Sequence, residues 1–262
     1  MSEIHLSVII PAYNEEKRLP KTLEEIDKYL SKQNYDYEIL VVNDGSKDKT
    51  AEVVRCLTPG VKHLRLIDNK ENYGKGYVVR QGMLEAKGEY RIFTDADNST
   101  SIDQIEKMWP EFSTSAKGYG GPAEASREGG EKGSDIVIGS RDVKGAVLNP
   151  PQPCLRNVIL GEGFKLIRKI IIGLWEIQDS QCGFKGFTDR AANEIFPRCK
   201  INRFAFDPEI LVIAKKLGYK IKEIPVYWRN DLESKVKFKS MIKMLIDLFK
   251  IKLNLIKGIY SQ

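Results

Sequence analysis

Histidine is almost missing from this chain, with only His5 and His63 in 262 residues. The four cysteines (Cys56, Cys154, Cys182 and Cys199) stand far apart, without a C-x-x-C pair. These two shortages argue against a zinc site and against a disulfide framework, so reduced and mostly packed thiols are expected. Long hydrophobic runs are missing too. The longest charge-free apolar run is Ile170 to Trp175, far below the roughly 20 residues that a membrane span needs. The N-terminus lacks the basic and apolar pattern of a signal peptide, which makes the cytoplasm the expected compartment. Neither the G-x-x-x-x-G-K-[ST] phosphate loop nor the G-x-G-x-x-G fingerprint is present, and no internal repeat is visible.

What is there is an ordinary globular composition, 42% hydrophobic and 30% charged, enough for one large core. The net charge of +6 is unevenly placed. Between Arg229 and Lys257, eight Lys/Arg face three Asp/Glu. A basic end on a nearly neutral chain suggests an anionic partner met at that end, a membrane surface or a nucleic acid.

Strand-like and helix-like segments alternate through the N-terminal half. Leu6 to Ile10 reads as a strand stopped at Pro11, followed by helical spacing at Leu19, Leu23, Ile26 and Leu30. Glu38 to Val42, Val61 to Ile67 and Tyr90 to Thr94 read as strands. Ala51 to Leu57 and Tyr77 to Lys87 read as helices, the second with Gly88 in the C-cap position. This alternation predicts an α/β fold with a mostly parallel sheet. Ser113 to Ser134, with six glycines and few large apolar side chains, predicts a mobile surface loop. Asp135 to Gly139 resumes as a strand, and Asn157 to Ile177 is a long apolar segment carrying three cations. Asp207-Pro208 predicts a helix start, with Asp as N-cap and Pro at the first helical position, and Gly218 a helix end. Lys220 to Trp228 reads as a last strand and Met241 to Tyr260 as a last helix.

In an open parallel sheet, ligands sit beyond the carboxyl ends of the strands. Pro11-Ala12-Tyr13-Asn14-Glu15, Asn43-Asp44-Gly45-Ser46 and Asp95-Ala96-Asp97 all fall at such ends. Side chains at i and i+2 of an extended chain share a side, so Asp95 and Asp97 repel each other unless a cation lies between them. Oxygen ligands of this kind suit Mg²⁺ or Mn²⁺ alongside substrate phosphates. Taken alone, the triplet reads equally as a solvated turn, and Asp44 as a helix cap. Lys75, flanked by Gly74 and Gly76 before a helix, is either a phosphate contact or part of an ordinary loop.

In Ser7 to Glu15, Asn43 to Asp48, Gly74-Lys75-Gly76 and Asp95-Ala96-Asp97 the chain resembles family 2 glycosyltransferases. Gly139-Ser140-Arg141, Asp179 to Lys185 and Phe204-Ala205-Phe206-Asp207 extend the resemblance through nearly the whole chain. Among these enzymes it is most similar to the polyprenyl-phosphate hexose synthases, nearest their dolichyl-phosphate glucosyltransferase branch. The resemblance implies a GT-A type nucleotide-diphospho-sugar transferase fold. It implies that Pro11, Ala12, Tyr13, Glu15 and Asp44 line the nucleotide pocket, and that Asp95 and Asp97 hold a divalent metal on the donor diphosphate, with the Ala96 backbone close by. Lys75, and Arg229 with Ser234 and Lys235, would meet the donor phosphates. Arg141 and Arg156 would hold the phosphate of the lipid acceptor. The implied reaction is inverting hexose transfer, from UDP-glucose by branch resemblance or from GDP-mannose as the alternative. A polysaccharide or protein acceptor is the rival within the family. Where mannosyl-type relatives carry a third metal-binding side chain, this chain has Ser99. Many relatives also carry transmembrane helices, for which the chain shows no apolar run.

A phosphate monoester with a second pKa of about 6 is already largely anionic at neutral pH, so no strong general base is required. Asp179 is the candidate if one is used; its other reading is an oriented hydrogen-bond acceptor. His5 and His63, before and within expected strands, read as structural. In the last helix, Lys243, Asp247, Lys250, Asn254 and Lys257 form one polar stripe, with apolar residues over the wide remainder. Such a helix either lies in a membrane interface or packs on the domain. The cations stand beside long apolar residues, without a nucleic-acid-binding motif. The expected organisation is a catalytic domain over 1–238, with the loop at 113–134 and an amphipathic helix at 155–177. A basic membrane-interface helix over 239–262 would attach it peripherally to the cytoplasmic face.

Overall fold

The computed structural model describes residues 4–112, 133–150, 163–229 and 238–261, the last stretch with side chains from 242 onward. Cys154, Arg156, Ser234, Lys235 and all but the last two residues of the 113–134 loop lie outside the described residues. Seven strands form one sheet in the order β3-β2-β1-β4-β7-β5-β8. They are β1 (Leu6–Ala12), β2 (Tyr37–Asp44), β3 (Leu64–Asn69), β4 (Tyr90–Thr94), β5 (Ile136–Ser140), β7 (Phe184–Thr188) and β8 (Ile221–Pro225). All neighbours run parallel except β7, which is antiparallel to both β4 and β5. β6 (Val147–Asn149) and β9 (Tyr227–Arg229) form a separate parallel pair.

The near-continuous apolar strands reflect a sheet covered on both faces. Ile9, Leu40, Val42 and Phe93 point to one side, against α3 (Lys75–Glu85), α5 (Asp189–Ile195) and α6 (Phe206–Lys216). Val8, Ile10, Ile39 and Val41 point to the other, against α1 (Leu19–Leu30) and α2 (Thr50–Leu57). The helical spacing of Leu19, Leu23, Ile26 and Leu30 is borne out, since all four are buried. Among the described cysteines, Cys182 and Cys199 are buried and Cys56 is exposed; none is bonded.

Several local expectations are corrected. β1 continues through Pro11 to Ala12 rather than stopping there. Pairing with β4 ends at Ile9, so Pro11 has a single neighbouring strand and its missing N–H breaks nothing on the other side. His63 lies before β3, at φ 57°, not within a strand. α3 ends at Glu85, and Gly88 serves close approach rather than capping: a Cβ there would lie 2.6 Å from Ser7 N. Asp207 is not an N-cap. Ala205 holds that position and the Asp207 side chain turns inward. Gly218, at φ 81°, does terminate α6. Lys220 to Trp228 divides between β8 and β9, because the chain leaves the main sheet after Pro225 to pair with β6.

The expected helix at 155–177 is described as α4 (Gly163–Ile172), which stops before Gly173 at φ 74°. α7 (Phe238–Ile256) packs beside it. The wide apolar remainder of α7 separates into two rows. Met244, Leu248 and Ile251 are buried on the domain, whereas Ile242, Ile246, Phe249, Leu253 and Ile256 face outward, Ile256 being 71% exposed. α4 contributes exposed Leu166, Ile167 and Ile170, followed by Trp175. No helix of the described residues is long and apolar enough to cross a membrane.

Candidate active site

The acidic triplet emerges directly from β4. Asp95 and Asp97 are half-buried while Ala96 between them is buried, but the triplet is not the extended stretch expected: the chain turns here, Asn98 N donating to Asp95 O at 3.2 Å. The Ala96 carbonyl accepts a hydrogen bond from Thr22 Oγ1 at 2.8 Å, which fixes the triplet to α1. Asp97 Oδ1 accepts from the Ser99 backbone N–H at 3.0 Å. Burial, and then the charge of Asp95, push the Asp97 carboxyl above the usual carboxylate range. Asp95 rests on Gly183, just ahead of β7, where a Cβ would lie 2.1 Å from Asp95 Oδ2. The antiparallel strand therefore brings a bare backbone to the acid end of its neighbour.

Lys75 Nζ lies 2.5 Å from Asp95 Oδ1. Its backbone is set by the turn before α3, where Gly74 takes φ 104°. Asp44 holds that turn, accepting from Tyr73 N at 2.7 Å, Gly74 N at 3.0 Å and Asn72 Nδ2 at 2.8 Å. The buried Asp44 carboxylate is thus committed to loop geometry. Pro11 and Ala12 are buried in β1, while Tyr13 is exposed at its end. Glu15 takes a two-pronged contact from Arg18, 2.7 Å at each oxygen. Arg229 reaches the same corner: its backbone N–H donates to Ser99 O at 2.7 Å and its guanidinium pairs with Glu25 at 3.8 Å.

Arg141 follows β5, two strands from the acid pair and so roughly 10 Å across the sheet. Its Nε and Nη2 donate to the two carboxylate oxygens of Asp179 at 2.6 and 2.9 Å, and its Cζ lies 4.8 Å from the centroid of the Trp228 ring. Asp179 also accepts from Arg141 N and Gln181 N. Burial would raise its carboxyl, but the Arg141 charge and these hydrogen bonds overcome that and hold it well below the usual carboxylate range. Behind it, Glu223 accepts the backbone N–H groups of Gln178 and Asp179 at 2.8 and 2.9 Å.

The sequence reading missed a buried pair under this edge. Lys185, fully buried in β7, donates to Asp207 Oδ1 at 2.6 Å and lies 5.3 Å from the Phe93 ring. The signal was a charged residue set directly after a phenylalanine in each of two motifs, Gly183-Phe-Lys-Gly-Phe and Phe204-Ala-Phe-Asp. Replacing Lys185 by Met is expected to lower unfolding stability by about 3–5 kcal/mol, by stranding Asp207 uncompensated. Urea denaturation checks this, and an unchanged midpoint would contradict it. Arg156 and Lys235 cannot be placed, because both lie outside the described residues.

Among the described residues no three His, Cys, Asp or Glu side chains gather into a metal cage. Two hard carboxylates with a single ammonium against them nevertheless fit a divalent ion that takes its remaining oxygens from phosphate and water.

An acid pair at one strand end and a backed arginine at another, on a mostly parallel sheet with one reversed strand, define a GT-A-like transferase scaffold. Solved structures share it. A mannosyl-3-phosphoglycerate synthase from Rubrobacter xylanophilus matches with a TM-score of 0.67 at 14% identity, over 97% of this chain and 75% of that one. A glucosyl-3-phosphoglycerate synthase from Mycobacterium tuberculosis, solved with Mn²⁺, UDP and glucosyl-3-phosphoglycerate, matches with a TM-score of 0.61 at 14% identity, over 96% and 79%. The model of Glycosyl transferase family 2 matches residues 7–196, and the chain belongs to this family. A dolichyl-phosphate beta-glucosyltransferase of Trichomonas vaginalis is 39% identical over 255 residues, covering 95% of this chain and 73% of the relative. The human enzyme of the same name is 35% identical over 270 residues, covering 97% and 76%.

Proposed function

We propose that this glycosyltransferase moves glucose from UDP-glucose to the phosphate of a dolichyl or related polyprenyl phosphate, with inversion, at the cytoplasmic face of a membrane. The observation that carries the reading is the arrangement of two charged groups at one sheet edge. The acid pair of Asp95 and Asp97 stands beside Lys75, the Arg229 backbone is bonded to Ser99 two residues further on, and Arg141 stands two strands away. The names of the relatives support dolichyl phosphate as acceptor and glucose as the sugar; UDP as its carrier is part of the proposal.

In this reading Pro11, Ala12, Tyr13 and Glu15 line the nucleotide pocket, and Asp44 shapes it through the 72–74 turn. Asp95 and Asp97 hold Mg²⁺ or Mn²⁺, which when bound neutralises the leaving diphosphate. Lys75 and Arg229 complement the same charge from the protein side. Arg141 holds the acceptor phosphate, and Asp179 fixes the guanidinium fork. With both oxygens of Asp179 engaged and its proton affinity low, the acceptor's own phosphate oxygen is the nucleophile. Catalysis is then alignment of two anions together with charge stabilisation. The outward apolar rows of α4 and α7, bordered by Lys243, Lys250 and Lys252, dock on the membrane surface.

Radiolabelled UDP-glucose, and GDP-mannose in parallel, should be offered with short-chain polyprenyl phosphate and Mn²⁺ or Mg²⁺. The expected result is organic-extractable glucose label that depends on metal. Label from GDP-mannose instead would transfer the assignment to mannose, and donor hydrolysis without lipid product would remove the lipid acceptor. A double Ile246→Asp, Phe249→Asp variant should lose most liposome co-flotation while still binding UDP; undiminished flotation would sink the docking face.

A further inference from the structure

Lys75 already places one cation, its own ammonium, against Asp95. Its Cα is fixed at the N-terminus of α3 by the turn that Asp44 ties down, and by close packing at Gly76, where a Cβ would lie 2.6 Å from both Ile201 O and Phe206 Cβ. The ammonium reaches across to Asp95 Oδ1 at 2.5 Å. The carboxylates of Asp95 and Asp207 both act on this ammonium. Asp207 is itself paired to Lys185, so Asp95 is the nearest partner left to Lys75. An ammonium and a divalent ion cannot share one carboxylate oxygen without strong repulsion at such short range. A nucleotide diphosphate would offer the lysine new oxygens at a helix N-terminus, which favours anions.

We propose that Lys75 interlocks metal and donor: it neutralises Asp95 and excludes a divalent ion until a nucleotide diphosphate draws it away. Metal then enters with the nucleotide rather than before it. The inference rests on the donor and metal reading above, and goes beyond it in assigning an order and a residue that enforces the order. The charges support this. With Lys75 in place, Asp95, Asp97 and Asp207 exceed Lys75 and Lys185 by one negative charge. Without Lys75 the excess is two, which a divalent ion alone would balance.

The test is Mn²⁺ binding followed by the electron paramagnetic resonance of free Mn²⁺, with and without UDP. The proteins are the wild type, Lys75→Met and Lys75→Arg. Wild type should bind Mn²⁺ weakly alone, and UDP should tighten it by about tenfold or more, a coupling that must be reciprocal. Lys75→Met should bind Mn²⁺ without UDP on the order of tenfold tighter than wild type, and lose most of the UDP enhancement. Lys75→Arg, which keeps the charge, should stay near wild type. If folded Lys75→Met gains no affinity for Mn²⁺ alone, or Lys75→Arg behaves like Lys75→Met, the interlock is overturned while the donor site stands. If wild type binds Mn²⁺ equally well with and without UDP, the interlock is overturned without any variant. If wild type binds no Mn²⁺ even with UDP, the metal reading falls and the interlock falls with it.

Discussion

Replacing Asp95 with Asn is expected to lower kcat/KM for glucosyl transfer by about 10²–10³-fold, the scale seen when one preorganised charge-stabilising group is removed. Gly183→Ala is expected to reach a similar loss by a purely geometric route. The added methyl would lie 2.1 Å from Asp95 Oδ2, closer than any real contact, so the carboxylate must leave its seat. Overpacking of this kind costs about 1–3 kcal/mol of stability, less than a typical domain's total. The Gly183→Ala protein should therefore stay folded while losing turnover. Steady-state kinetics beside a thermal melt separates the two effects. Near-normal kcat/KM in folded Gly183→Ala would mean that the position of Asp95 does not matter to the reaction.

The second large effect is expected at Arg141. Arg141→Lys keeps the charge but loses the planar fork that grips both oxygens of Asp179. We expect kcat/KM for the lipid phosphate to fall by about 10²-fold, with the KM for UDP-glucose little changed, because misalignment of a reacting anion is costly. A loss confined to the nucleotide sugar would contradict the acceptor role. The pH dependence follows from the same pair. Asp179 has a folded pKa depressed below its unfolded value of about 3.9, so its stabilising contribution is complete above that unfolded value. It is lost only as pH falls through the still lower folded pKa. The acid limb of activity should therefore not report Asp179. It should fall near pH 6, where the acceptor phosphate takes up its second proton. An acid limb that moves in Asp179→Asn would count against this assignment.

Much of the scaffold was legible because burial on both faces forces apolar runs, and such runs are hard to mistake. Leu6 to Ile10, Glu38 to Val42 and Tyr90 to Thr94 all announced strands, and the acid triplet announced itself by following one. What stayed hidden depended on partners distant in sequence. Lys185 and Asp207 look like surface charges until the fold brings them to 2.6 Å. Asp207-Pro208 has the pattern of a helix start, yet Asp207 is drawn inward by that pairing, leaving the cap to Ala205. The apolar side of the last helix read as one surface, because periodicity does not say which part the domain covers. Gly183 gave no signal in isolation. Its importance is the carboxylate laid against it from another strand.

The reversed strand β7 has one more consequence. The stretch from Asp179 to Lys185 grips Arg141 at one end, seats Asp95 in the middle and, through Asp207, borders Lys75 at the other. In a saturation mutagenesis of the protein these positions would behave as a single pleiotropic block, each change disturbing donor and acceptor kinetics together. Variation that retunes one substrate alone has to arise elsewhere, at peripheral supports such as Glu25 behind Arg229.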